Sequence, residues 1–412
     1  MTANVSRFAG RGLAPRAAVV ASAGCLVALM TTGAAAASQT VLNAGLSDVS
    51  CTSASSCVAV GTFLGNIPGT KAFQNFTLAE AWNGSAWQVV PSPSPKLPAG
   101  GAELNSVSCT SSTNCVAVGE TLTFHEPGGY LTPYPLIEAW NGTSWRTEAI
   151  PKLAHTGAYL NGVSCTSPSR CMAVGSEGFP KKPTLFTFAE SWNGTAWKFV
   201  PTPAPLTPGG TALSNVSCTS SASCMAVGYY GSGPGTQVTL AEAWDGAKWR
   251  RLTTPTPGSM GTLAGVACTA TAACLSVGGH AASGVTLVNA TLSEQWNGSG
   301  WQVRSSPNPG GANFAGLNSV SCTGPTACMA TGGGASGEGE SGFTLAESWN
   351  GTSWSLVPSP SPGSFSDELR GVSCTSPASC MAVGDFEGTG NQFTLAEAWN
   401  GTRWTTVKTP HP

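Results

Sequence analysis

The chain has 412 residues, of which 20 are acidic and 18 basic, and only 9% of all residues are charged. No basic run or stripe is present, which sets nucleic acid aside as a partner, and 41% apolar residues with 14 Trp exclude the composition of a disordered chain. The 52 Gly and 29 Pro demand many turns and leave little room for long helices.

Residues 1–37 read as a signal peptide. Arg7, Arg11 and Arg16 form a positive leader, Ala17 to Met30 is an apolar stretch, and Ala34 to Ala37 offer small residues for cleavage before Ser38. The apolar stretch is too short for a comfortable membrane span. Removing residues 1–37 takes away three Arg and no acid, leaving 15 basic and 20 acidic residues and a net charge of −5. The expectation is a secreted, extracellular protein cleaved near Ala37, with residues 38–412 forming one domain and no membrane span.

From Leu46 onward one pattern recurs seven times at a spacing of about 54 residues, with copies starting near Leu46, Leu104, Leu160, Leu213, Leu263, Leu317 and Leu369. Each copy carries two Trp (Trp82 and Trp87 in the first) and two Cys, and every Trp and 14 of the 15 Cys belong to it. Within a copy the first strand candidate surrounds Leu46 to Cys51 and the second runs from Cys57 to Gly61. The third is Leu78-Ala79-Glu80-Ala81-Trp82, and the fourth follows Trp87. Asn83-Gly84 between the last two predicts a tight hairpin, because Gly and Asn tolerate positive φ. A two-residue turn there sets Trp82 against Ser85 and Glu80 against Trp87, with both Trp and the Glu on one sheet face. In the fourth copy Asp245-Gly246 takes the same place.

Length varies in only two connections. From the glycine ending the second strand to the apolar residue opening the third, the separations are 17, 17, 13, 12, 14, 13 and 11, and the Pro-rich passage between copies also differs. In a ring of four-stranded units these two connections emerge on one face and the two fixed hairpins on the other. Variable loops on one face of a repeat array are where binding surfaces usually sit. The predicted fold is therefore all-β, a seven-bladed β-propeller of four-stranded antiparallel blades that closes without a swapped terminal strand. A four-stranded repeat with Gly ending its second strand and an aromatic followed by Trp around a tight turn resembles the kelch-like (galactose-oxidase-like) propeller family. Gly278-Gly279 and Gly332-Gly333 supply that family's double glycine, while Trp replaces its usual Tyr and the cysteine pair is an addition. The resemblance implies architecture and no activity.

The cysteines form a C-x5-C pair in every copy: Cys51 and Cys57, Cys109 and Cys115, Cys165 and Cys171, Cys218 and Cys224, Cys268 and Cys274, Cys322 and Cys328, Cys374 and Cys380. In an exported chain such pairs read as disulfides within each blade rather than as a zinc site, whose spacing is shorter. The recurring Glu80, Glu138, Glu190, Glu242, Glu294, Glu347 and Glu397 are spread around the ring, so they read as structural acids bonded to a backbone or indole N–H. The Asn-Gly-Thr and Asn-Gly-Ser turns match the glycosylation sequon, but turn chemistry explains them.

What does not repeat is more suggestive. Tyr130, Tyr134, Tyr159, Tyr229 and Tyr230 fall in the variable connections with His125, His155 and His280, and Phe124 is nearby. Tyr130, Tyr134, Tyr159, Tyr229, Tyr230, His125 and Phe124 are the candidate ligand-binding residues, because aromatic rings give rigid contact area for sugars or protein partners. Serine-hydrolase, zinc-protease, P-loop and dinucleotide patterns are absent, so no cofactor, metal or catalytic residue is assigned. The favoured expectation is a monomeric, non-catalytic binding module for a glycan or an extracellular protein. The alternatives are a carbohydrate-active hydrolase or lyase using His125, Glu126 and Tyr130 or Tyr134, and an architectural component of the cell envelope.

Overall fold

The computed structural model describes residues 41–412 except 71, 95–99, 126–129, 152–156, 180–181, 204–206, 208, 234–235, 259, 282–289, 338–341 and 389. The signal-peptide reading of residues 1–37 lies outside the described residues.

Among the described residues twenty-eight strands form seven four-stranded antiparallel sheets, each built from consecutive strands. The blades span residues 41–89, 102–147, 158–199, 211–252, 261–304, 314–356 and 367–407. In blade 1 the strands are Val41–Ser53, Ser56–Asn66, Phe73–Trp82 and Trp87–Val89. The first strands of neighbouring blades lie side by side around a closed cycle, and the seventh blade's returns to the first's. They therefore surround the axis, with each fourth strand outermost. The ring is closed and no strand is exchanged between its ends, as the seven equal copies predict.

Alternation explains the core. Leu46, Ala59, Val60, Leu78, Ala79 and Trp87 are buried in blade 1, and the same positions are buried in the other blades. The apolar clusters each draw on two adjacent blades. Leu46 and Trp87 of blade 1, for example, pack with Met381, Val383 and Ala396 of blade 7, so the closing seam is packed like the others. Burying two or three such side chains per seam contributes on the order of 1.5–3 kcal/mol each.

Every cysteine pair is joined across the first hairpin: Cys51–Cys57, Cys109–Cys115, Cys165–Cys171, Cys218–Cys224, Cys268–Cys274, Cys322–Cys328 and Cys374–Cys380. Two expectations need correction. Trp82 pairs with Trp87 and Glu80 with Val89, two residues away from the expected register. The cause is the Asn83 side chain, whose Oδ1 accepts from the N–H groups of Ser85 and Ala86 at 3.0 Å and draws four residues into the turn. Gly84 then takes φ 93°, which a side chain would disfavour. The shift is even, so Glu80 and both Trp still share a face.

The second correction concerns strand length. The first three strands run well past the repeat pattern toward the variable connections, so the tyrosines expected in loops lie on strands. Tyr130 and Tyr134 are in Tyr130–Trp140, Tyr159 is in Ala158–Ser167, and Tyr229 and Tyr230 are in Ser223–Gly233.

Candidate functional site: the channel mouth on the variable face

The Cys hairpins and the Asn-Gly turns share one end of the ring: Trp82 Nε1 donates to Ala54 O at 3.2 Å, tying one turn to the other. The connection between second and third strands and the passage between blades lie at the opposite end, where Val41 pairs with Gly65 and Gly65 with Gln74. Two rungs of residues encircle the axis at this end. The residue before the first-strand Leu reads Gly45, Glu103, Tyr159, Ala212, Thr262, Gly316 and Glu368 from blade 1 to blade 7. The residue after the second-strand Gly reads Thr62, Glu120, Ser176, Tyr229, Gly279, Gly333 and Asp385. The two rungs pair within each blade. In core, disulfides and Asn-Gly turns the blades repeat one another; on these rungs they do not.

The differentiation has an order. Blades 7 and 2 carry carboxylates, blades 3 and 4 carry tyrosines, and blades 5 and 6 carry Gly or Thr. Arg370 is the unpaired residue of the bulge that recurs after the first-strand Leu. Its Nη2 lies 2.8 Å from Glu368 Oε2 and its Nε donates to Asp385 Oδ1 at 2.5 Å. Gln392 Nε2 donates to the other Asp385 oxygen, and the Gln392 backbone N–H to Asn43 Oδ1 at 2.9 Å. A cavity of about 360 Å³ opens here between blades 7, 1 and 2. Its polar lining includes Asn43, Asn75, Glu103, Arg370, Asp385 and Gln392.

The sequence-predicted residues separate. Tyr159 and Tyr229 come together: burial, the Tyr229 phenol and Glu120 push the Tyr159 phenol up to about 12, and burial also raises Tyr229. Tyr230, next along the strand, faces the other way into the seam between blades 3 and 4, with the Arg251 guanidinium 5.6 Å from its ring centre. Tyr134 is half-buried on a third strand and pairs with Thr121, farther from the axis. Phe124 is 37% exposed and pairs with Leu131. His125 and Tyr130 pair through their backbones, while their side chains, with His155 and Glu126, lie outside the described residues.

Deeper along the axis the first strands approach most closely. A Cβ on Gly371 would meet the Asp48 Cα at 2.7 Å, so the glycine is required by contact. Asp48 accepts from Val49 N at 2.8 Å, Ser106 Oγ at 2.8 Å and Val107 N at 3.0 Å, stitching blade 1 to blade 2. Burial nevertheless pushes its carboxyl up to about 6.

The seven recurring Glu are fully buried between blades. Burial pushes Glu80, Glu190, Glu242 and Glu294 up to about 8, and Glu138, Glu347 and Glu397 to about 7. Both carboxyl oxygens of Glu80, Glu190, Glu242 and Glu294 are buried without a hydrogen-bond partner among the described residues, and the partners of the other three are not the expected backbone or indole groups. Ser92 Oγ donates to Glu138 at 2.5 Å, Ser306 to Glu347 at 2.8 Å and Ser359 to Glu397 at 2.7 Å, each from the Pro-rich passage of the preceding blade. The acids are held apart around the ring, as their spacing in sequence requires.

A cavity of about 430 Å³ lies at the opposite end, between blades 4 and 5, around Trp244, Trp296 and the two disulfides. A groove of about 220 Å³ occupies the equivalent place around Trp349 and Trp399. Both are products of the repeat, which leaves the channel mouth as the differentiated site. Sequence reasoning missed Glu103, Arg370, Asp385 and Gln392, although the signal was available: they break the pattern at fixed offsets from the repeated Leu and Gly. Among the described residues no group of three or more His, Cys, Asp or Glu side chains could hold a metal ion, and no helix is long and apolar enough to cross a membrane.

No family model and no curated protein matches this chain. Solved propellers do. A protein of unknown function from Dyadobacter fermentans DSM 18053 is 12% identical with a TM-score of 0.51, over 90% of this chain and 98% of that one. The β-propeller domain of the Trilobed protease from Pyrococcus furiosus, described as having an open velcro topology, is 8% identical with a TM-score of 0.50, over 90% and 97%. At such identities the likeness shows the fold alone.

Proposed function

We propose that this chain is an exported, monomeric, non-catalytic propeller that binds a glycan or protein ligand at the channel mouth of its variable face. The observation that carries the reading is the contrast between the two mouth rungs and the rest of the repeat. Seven blades that agree in core, disulfides and turns differ from one another where carboxylates, an arginine and two tyrosines converge. Selection for stability alone gives no reason for that arrangement, since opposing acids on adjacent strands are destabilising. Tyr159 and Tyr229, held protonated by burial, supply ring faces and hydroxyl donors at one side of the mouth. Tyr130, Tyr134, His125 and Phe124 belong to the same proposal as outlying contacts on blade 2, and Tyr230 drops out of it because its ring turns into the seam between blades 3 and 4.

Seven intrablade disulfides suit an oxidising compartment and support the export reading of residues 1–37. Kinship with kelch-like propellers is part of the same reading, supported by the Gly that ends each second strand. The test is a screen of the purified protein on saccharide and peptide arrays. Wild type should give selective binding, and Tyr159→Ala with Tyr229→Ala should weaken it at least tenfold. An absence of binding on both arrays would end the proposal.

A further inference from the structure

We infer that the cavity between blades 7, 1 and 2 is a subsite for one neutral sugar residue of a larger glycan. The inference rests on the binding reading above and narrows it to a ligand class and a place. The first argument is the lining. Arg370 Nη1 and Asn43 Nδ2 are donors, and Gln392 Oε1 and the Glu103 carboxylate are acceptors, without a protein partner among the described residues. Asn75 adds an amide with both functions. A sugar hydroxyl both donates and accepts, so it uses interleaved donors and acceptors that an apolar or purely ionic ligand would leave unsatisfied.

The second argument is charge. Arg370 is already compensated by Glu368 and Asp385, and Glu103 adds a third carboxylate to one guanidinium. Uronates, sulfated sugars and phosphates would meet net repulsion, whereas a neutral polyol would not. The third is rigidity. Asp385 is buried and grips both Arg370 and Gln392, and Asn43 fixes the Gln392 backbone. Polar groups held in place before binding lose little freedom on contact. The cavity of about 360 Å³ falls at the small end of the roughly 300–1,000 Å³ usual for ligand sites, which suits a single ring entering from the end of a chain. Tyr159 and Tyr229, farther round the mouth, are placed to meet the residues that follow it.

The experiment is a neutral-saccharide array followed by calorimetric titration of the best soluble oligosaccharide against the full protein and three variants, Asn75→Ala, Gln392→Ala and Arg370→Met. Unfolding temperature serves as the control for folding. The expected result is a neutral glycan whose affinity falls tenfold or more in Asn75→Ala and Gln392→Ala with the unfolding temperature within a few degrees of wild type. Arg370→Met should lose more, and sulfated or uronic-acid analogues should bind more weakly than their neutral parents. If a glycan binds, is indifferent to all three variants and is lost in the Tyr159 and Tyr229 variants, the subsite is overturned while the binding reading stands. Binding of a cationic peptide that the cavity variants abolish would overturn the sugar class. Silence on both saccharide and peptide arrays would remove the subsite and the reading together.

Discussion

The Cys51 amide donates to Ser373 Oγ at 2.9 Å, and this bond between the first and last blades is the one that joins every other pair but one. Ser50 accepts from Cys109 N, Ser108 from Cys165 N, Ser164 from Cys218 N, Ser217 from Cys268 N and Ser321 from Cys374 N, all at 3.0 Å. The Ser of the Val-Ser-Cys triplet thus ties each disulfide hairpin to its neighbour, close to the axis. Blade 5 carries Ala267 there, so the seam to Cys322 has no hydroxyl to accept. A disulfide fixes one end of each such bond and the ring fixes the other.

Ser373→Ala should therefore leave the Cys51 amide unsatisfied at the closing seam and cost about 1–3 kcal/mol. Ala267→Ser should do the reverse at the seam that lacks the bond, raising stability by about 0.5–1.5 kcal/mol. Denaturant midpoints of the two variants check this, and equal effects of the same sign would show that the Ser ring does not hold the seams.

The buried Glu predict an acid-favoured fold. Glu80 is pushed from its ordinary 4.5 to about 8, and its six counterparts to about 7 or 8, by burial. In the folded chain they hold protons that the unfolded chain releases above about 4.5, so their contribution is complete below that pH and is lost as pH rises through 7 to 8. The unfolding temperature should fall from pH 5 to about pH 8 and level off beyond it. Glu80→Gln should flatten that fall and gain on the order of 1–3 kcal/mol over wild type at pH 9. A flat wild-type profile would mean these carboxyls ionise in place with little penalty.

The two Trp of blade 3 should behave differently. Trp197 is 4% exposed and packs between blades 2 and 3, whereas Trp192 is half-buried with its indole N–H on Pro168 O at 3.1 Å. Trp197→Ala should cost about 3–5 kcal/mol, and Trp192→Ala clearly less. Chemical denaturation of both variants measures the difference, and the reverse order would place the wrong Trp in the core.

The disulfide, the blade count and the closed ring were legible because Cys, Trp and Leu recur at fixed spacings in seven equal copies, and a ring of blades buries them all. The hairpin register was not, because Asn83-Gly84 satisfies a two-residue turn as well as the four-residue one, and the choice rests on the Asn83 carbonyl reaching two N–H groups. The partners of the Glu were hidden too: Ser92 and Glu138 are 46 residues apart and meet only because neighbouring blades nest. At the channel mouth the eye goes to rare tyrosines, while Glu103, Arg370 and Asp385 look like ordinary surface charges until the seven copies are laid over one another. Their convergence depends on ring closure, since Arg370 and Glu103 line one cavity from blades that are far apart in sequence.

Tyr159 offers the most direct check on the mouth. Its phenol is half-buried beside Tyr229 with Glu120 near, and these surroundings push it up to about 12, with Tyr229 raised by burial as well. Both effects disfavour the phenolate, so Tyr159 remains a neutral hydroxyl throughout the range in which the fold persists. In a spectrophotometric titration of the native protein, tyrosines in ordinary surroundings should ionise near pH 10, leaving a late step from Tyr159 and Tyr229. Tyr159→Phe should remove part of that late step, and Tyr229→Phe should let Tyr159 ionise earlier, because the neighbouring phenol can no longer lose its proton first. If all five tyrosines titrate together near pH 10 in protein that is still folded, Tyr159 and Tyr229 do not share a protected corner of the mouth, and the aromatic side of the site falls with them.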